Sequence, residues 1–127
     1  MVLEVLLVED SKTQAAQIKE TLESVGLRVR VAYDGPDGLR GAIENPPALI
    51  ILDVKLPSMD GFQVCHRLKR DAQTCNIPII MLTAADSSTA TLHGLEVGAD
   101  DYIPKDTYAM ENLIATAKTY LQESTGK

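Results

Sequence analysis

The chain has 127 residues, about the size of one domain, with 45 % hydrophobic and 24 % charged residues and a net charge of −6. That is apolar enough for a core and argues against disorder outside the termini; with one Phe, four Tyr and no Trp, the core must be mainly aliphatic. Twelve Lys and Arg against eighteen Asp and Glu argue against general binding to nucleic acid or anionic membrane, although a local basic patch stays open.

The N-terminus, MVLEVLLVED, lacks a basic leader region, and its short apolar run reads as a strand, not a signal peptide or membrane span. Leu3 to Val8 is the first strand. Lys12 to Val25 is predicted as a helix with Ala15, Ile18, Leu22 and Val25 on one face, Ser11 as N-cap and Gly26 as its stop. Arg28 to Tyr33 is strand two. Asp34, Gly35 and Pro36 open a second helix, closed by Asn45-Pro46-Pro47. Ala48 to Asp53 is strand three, and a loop over 56–60 leads to a third helix, Gly61 to Arg70. Pro78 to Thr83 is strand four. Asp86 is expected to cap a fourth helix that runs to about Val97, where Gly98 ends it. Asp101 to Pro104 is a short fifth strand. The last helix is expected from about Thr107 to Gln122, burying Met110, Leu113, Ile114, Ala117 and Leu121. Cys65 and Cys75, without a CxxC pair, read as free reduced thiols of a cytoplasmic protein.

Five strands alternating with five helices imply an α/β fold, a doubly wound parallel sheet covered on both faces. Strands one, three and four are almost continuously apolar, whereas strand two alternates Arg and Val and strand five starts polar, as edge strands do. The flavodoxin-like order 2-1-3-4-5 fits this with right-handed crossovers.

In such a sheet a site forms beyond the carboxyl ends of the strands, at the switch point between strands one and three. Strand one ends in Glu9 and Asp10, strand three in Asp53 and strand four in Thr83, and Lys105 follows strand five. Clustered carboxylates repel and call for a cation; oxygen ligands without His or Cys favour Mg²⁺, with Mn²⁺ as the substitute. Phosphoryl transfer to a carboxylate fits: Asp53 attacks in line, while the metal, Lys105 and the Thr83 hydroxyl stabilise the transferring oxygens. Taken singly, Asp10 reads equally well as a helix cap and Lys105 as a solvated lysine; the joint pattern carries the inference.

The successive segments VLLVED, IILDVKLPSMDGF, IIMLTA and GADDYIPK resemble the motifs of response-regulator receiver domains of two-component signalling systems, over essentially the whole chain, 1–127. The sheet order is that family's as well. The resemblance implies that Asp53 accepts phosphate from a phosphohistidine on a sensor histidine kinase or histidine phosphotransfer protein. It implies that Glu9, Asp10, Asp53 and the Lys55 backbone carbonyl hold Mg²⁺, and that Thr83 and Lys105 contact the phosphoryl group beside the small Ala84. Tyr102 matches the aromatic that changes rotamer when the threonine moves, shifting the surface of helix four, strand five and helix five. Output is expected through an unnamed protein partner or onward phosphotransfer, with no direct nucleic-acid or membrane contact, from a monomer or a phosphorylation-dependent dimer.

The sequence departs from the family at Lys105, which usually precedes a proline; here Pro104 comes before it and Asp106 after. A cis bond before a non-proline costs about 2.5–4 kcal/mol, so this loop is expected to be trans or strained. Lys55, two residues past the acceptor, is expected to tune phosphorylation and dephosphorylation rates or to be a solvated lysine. His66 and His93 have no phosphotransfer context, and Asp100 and Asp101 read as turn residues. Two other classes compete. A small aspartyl phosphatase would need an acid where Lys55 stands and a substrate-selecting cap. A flavin-binding protein would need a phosphate-cradling loop after strand one.

Overall fold

Strands that are apolar on both faces belong in the middle of a covered sheet, and three of them lie there. In the computed structural model, which describes residues 3–83 and 98–125, β1 (Glu4–Val8), β3 (Leu49–Asp53) and β4 (Ile79–Thr83) are almost wholly buried. The less buried β2 (Arg28–Ala32) and β5 (Asp101–Pro104) form the edges. All five pair in parallel, in the order β2-β1-β3-β4-β5. Four helices cover the sheet among the described residues: α1 (Lys12–Glu23), α2 (Gly35–Glu44), α3 (Gly61–Arg70) and α4 (Ala109–Thr125). The further helix expected from Asp86 to Val97, with Ala84 and His93, lies outside the described residues.

The pleat divides the strand side chains between two cores. Odd-numbered Leu7, Ile51 and Ile103 and even-numbered Leu82 pack with α1 and α4; Leu6, Leu52 and Met81 pack with α2 and α3. Each fully buried Leu or Ile contributes about 1.5–3 kcal/mol relative to exposure, so the two layers hold the sheet rigidly between them.

Strands β1 to β4 each differ from expectation by one residue at one end, and the larger differences are at helix ends. α1 ends at Glu23, and Val25 is exposed instead of completing the buried stripe. The chain tightens there: the Val25 and Gly26 N–H groups donate to Leu22 and Glu23 carbonyls, and Gly26 adopts φ 93°. That left-handed turn rotates Val25 outward and brings Leu27 against the core. The last helix begins at Ala109, because the N–H groups of Tyr108 and Ala109 are taken by the side chain and carbonyl of Asp106 in a preceding turn.

Candidate functional site

Continuing the pleat past the strand ends puts Glu9, Asp53 and Lys105 in the rows of Leu7, Ile51 and Ile103, on the sheet face covered by α1 and α4. Backbone bonds fix these ends. Glu9 N–H donates to the Ala32 carbonyl, Val54 N–H to Leu82, and Lys105 N–H to Thr83 at 2.7 Å. The Lys105–Asp106 peptide is trans, as are all the described bonds.

Lys105 Nζ lies 2.8 Å from Asp53 Oδ2, 3.3 Å from Glu9 Oε1 and 3.1 Å from Gln14 Oε1. Glu9 and Asp53 are buried and Asp10 is exposed, and the three offer carboxylate oxygens within 4.8 Å of one another. Burial pushes the Glu9 carboxyl up to about 6; the Ser11 N–H that donates to Glu9 Oε2 opposes this, while the Asp53 charge adds to it. Burial alone would lower the Lys105 ammonium, but its bond to Asp53, the Asp53 charge and Glu9 together raise it. A charged lysine therefore stands directly against the Asp53 carboxylate.

The donor set suits a hard cation. Oxygens bound to one Mg²⁺ sit no more than about 4.2 Å apart, since each lies 2.0–2.1 Å from the ion. A spread within 4.8 Å is close to that, and the exposed Asp10 has room to adjust.

The loop after Asp53 is packed against the end of β3. Gly61 N–H donates to the Val54 carbonyl at 2.8 Å, and a Cβ on Gly61 would strike the Asp53 carbonyl oxygen. Only glycine permits that approach. Ser58 bridges the loop at φ 70°, in the left-handed region. Lys55 is exposed, and its side chain makes no hydrogen bond or ion pair among the described residues.

Thr83 is buried at the end of β4, on the same face as Met81, and half-buried Tyr102 packs against that same core from β5, opposite Met81. Asp100 lies in the bend before β5, where its Oδ2 accepts Ile79 N–H and Lys69 Nζ, both at 2.8 Å; Asp101 is the first residue of β5, and its Oδ1 accepts Tyr102 N–H. Sequence reasoning missed Gln14 and the Lys69–Asp100 pair. The only signal for Gln14 was the Ser11-x-x-Gln14 spacing, which reads as a helix cap.

Residues 5–118 match the family described as the response regulator receiver domain. The chain belongs to this family. Among curated relatives, the DNA-binding dual master transcriptional regulator RpaA of Synechocystis is 37 % identical over 120 residues, covering 94 % of this chain and 49 % of that protein. Response regulator MprA of a Mycobacterium species is 35 % identical over 124 residues, covering 98 % and 53 %. The chain thus spans about half the length of the curated relatives it matches. A crystal structure of a putative response regulator from Chloroflexus aurantiacus superimposes with a TM-score of 0.90 at 34 % identity, covering 95 % of this chain and 98 % of that one. Receiver domains of two-component systems signal through phosphorylation and in general bind Mg²⁺ at an acidic pocket. Among the described residues, no helix is long and apolar enough to cross a membrane.

Proposed function

We propose that residues 1–127 form one receiver domain in which Asp53 accepts a phosphoryl group from a phosphohistidine of a sensor histidine kinase or histidine phosphotransfer protein. The observation that carries this is the Lys105 Nζ–Asp53 Oδ2 contact of 2.8 Å beside a three-carboxylate cluster. An Asp53 oxygen attacks phosphorus, and the imidazole leaves with the electrons of the broken P–N bond. Lys105 and the Thr83 hydroxyl then hold the transferred oxygens.

Glu9 and Asp10, directly or through water, together with Asp53 and the Lys55 backbone carbonyl, would hold Mg²⁺, or Mn²⁺ in its place. Bound Mg²⁺ supplies positive charge against the phosphoryl oxygens. Drawing Thr83 toward the phosphate opens space for Tyr102 on the same sheet face. The surface of β5, the helix expected before it and α4 is then redistributed between two states. Lys55 tunes the lifetime of the aspartyl phosphate from its exposed position; an unchanged lifetime in Lys55→Ala would exclude that role.

Output runs through a protein partner in the cytoplasm or through onward phosphotransfer, from a monomer or a phosphorylation-dependent dimer, and the chain does not turn over an external substrate. One relative is named as DNA-binding, but the net charge of −6 favours a protein listener for this segment. The test is incubation with Mg²⁺ and a small acyl phosphate, followed by mass mapping. One phosphoryl group is expected on Asp53, lost in Asp53→Ala; phosphate at another residue, or none, would sink the proposal.

A further inference from the structure

We propose that Gln14 is a positioning residue for Lys105, which rests on the reading of Asp53 as phosphoacceptor. Ser11 and Gln14 have the spacing of a capping box, in which the Gln side chain would turn back to the N-cap N–H. Half of that box is present: Gln14 N–H donates to Ser11 Oγ at 3.2 Å. The other half is displaced. Ser11 N–H is taken by Glu9 Oε2 at 3.1 Å, and the Gln14 carbonyl oxygen accepts from Lys105 Nζ at 3.1 Å instead.

An ammonium group has three protons, and Lys105 finds three acceptors: Asp53, Glu9 and Gln14. Two of these are anionic and belong to the cluster that would take a cation. Gln14 is the neutral one. It reaches Lys105 from α1, on the side where a cleft of about 350 Å³ opens between α1 and the turn after β5. Its amide therefore keeps a hold on the ammonium when the carboxylates turn to other partners. Lys105 stays beside Asp53 instead of swinging into the cleft.

The test uses the whole chain with ¹⁵N-labelled lysine. The Lys105 ammonium resonance is assigned by its loss in Lys105→Arg. Gln14→Met keeps length and flexibility but removes the acceptor, Gln14→Glu keeps an acceptor, and Gln17→Met is a control on the same cleft. In metal-free protein, exchange of the Lys105 ammonium protons with water should speed up about threefold or more in Gln14→Met, the loss expected for one hydrogen bond. It should stay at or below the native rate in Gln14→Glu and in Gln17→Met. Transfer from a small acyl phosphate should slow about threefold in Gln14→Met alone. The unfolding midpoint should not move, because the Ser11 cap uses the Gln14 backbone.

Unchanged exchange in Gln14→Met, or a like change in Gln17→Met, overturns the proposal. Faster exchange with an unchanged transfer rate overturns the positioning role. If the native protein takes no phosphate on Asp53, the acceptor reading fails on its own, and the exchange rates still decide whether Gln14 holds Lys105.

Discussion

α1 and α3 both start beside the acidic site with an acceptor at the N-cap and Gln three residues on, yet they use that Gln differently. At α3, Gln63 N–H donates to Asp60 Oδ1 at 3.0 Å and Asp60 N–H donates to Gln63 Oε1 at 3.1 Å, a closed box. At α1 the box is open, and Gln14 bonds a lysine 91 residues away. The first helical residues differ as well. Gly61 is pressed against the Asp53 backbone, whereas Lys12 is exposed with its ammonium 5.8 Å from the Tyr33 ring centroid. A helix start can thus serve as a rigid stop under Asp53 or as a handle on Lys105, and the neighbouring hydrogen-bond acceptors decide which.

The largest effect that could break this contrast is at Gly61. Gly61→Ala should cost about 3 kcal/mol by denaturant unfolding, because the new Cβ meets backbone that cannot move aside. Lys12→Ala should stay within about 0.5 kcal/mol, as exposed substitutions do. Equal losses would mean that the two starts are packed alike.

The caps give the next effect. Asp60→Ala and Ser11→Ala should each cost about 1 kcal/mol. Gln63→Met should cost about 0.5 kcal/mol and speed amide exchange at Asp60, whereas Gln14→Met should change stability by less than about 0.3 kcal/mol. A matching loss in Gln14→Met would show that its amide caps α1 after all.

Glu9, which takes the Ser11 N–H, can be tested by pH. Its carboxyl is raised from 4.5 to about 6, so the fold favours the protonated form. That contribution is fully present below 4.5 and is lost as pH rises through about 6. In metal-free protein the Glu9 carboxyl resonance should titrate near 6, and added Mg²⁺ should lower that midpoint. Glu9→Gln should flatten the pH dependence of unfolding across this window.

The smallest effect concerns the buried side of α3. Burial pushes the Cys65 thiol up to about 11, so it should stay protonated at pH 8. Mass spectrometry should show Cys75 alkylated well before Cys65, with unfolding needed for the latter.

Much of the fold was legible because strand burial and helix periodicity are local patterns. The boundaries of α3 and β5 matched residue for residue, since Asp60, Gly61 and Pro104 mark them with chain geometry alone. Val25 was misplaced because helical period predicts a face only while the helix lasts, and Gly26 ended it early. The gathering of Glu9, Asp10, Asp53 and Lys105 was legible because sheet order collects strand ends at one edge. Gln14 was not, because its spacing fits two partners equally well.

The sequence by itself determined the alternation of strands and helices, which strands lie in the middle, and which side chains end at the carboxyl edge of the sheet. These follow from steric and hydrophobic preferences that act within a few residues. Only the tertiary structure decided who bonds to whom at that edge: Lys105 among Asp53, Glu9 and Gln14, and Lys69 with Asp100. Such choices depend on strand register and on competition between acceptors brought together from distant parts of the chain, and no local pattern encodes the outcome of that competition.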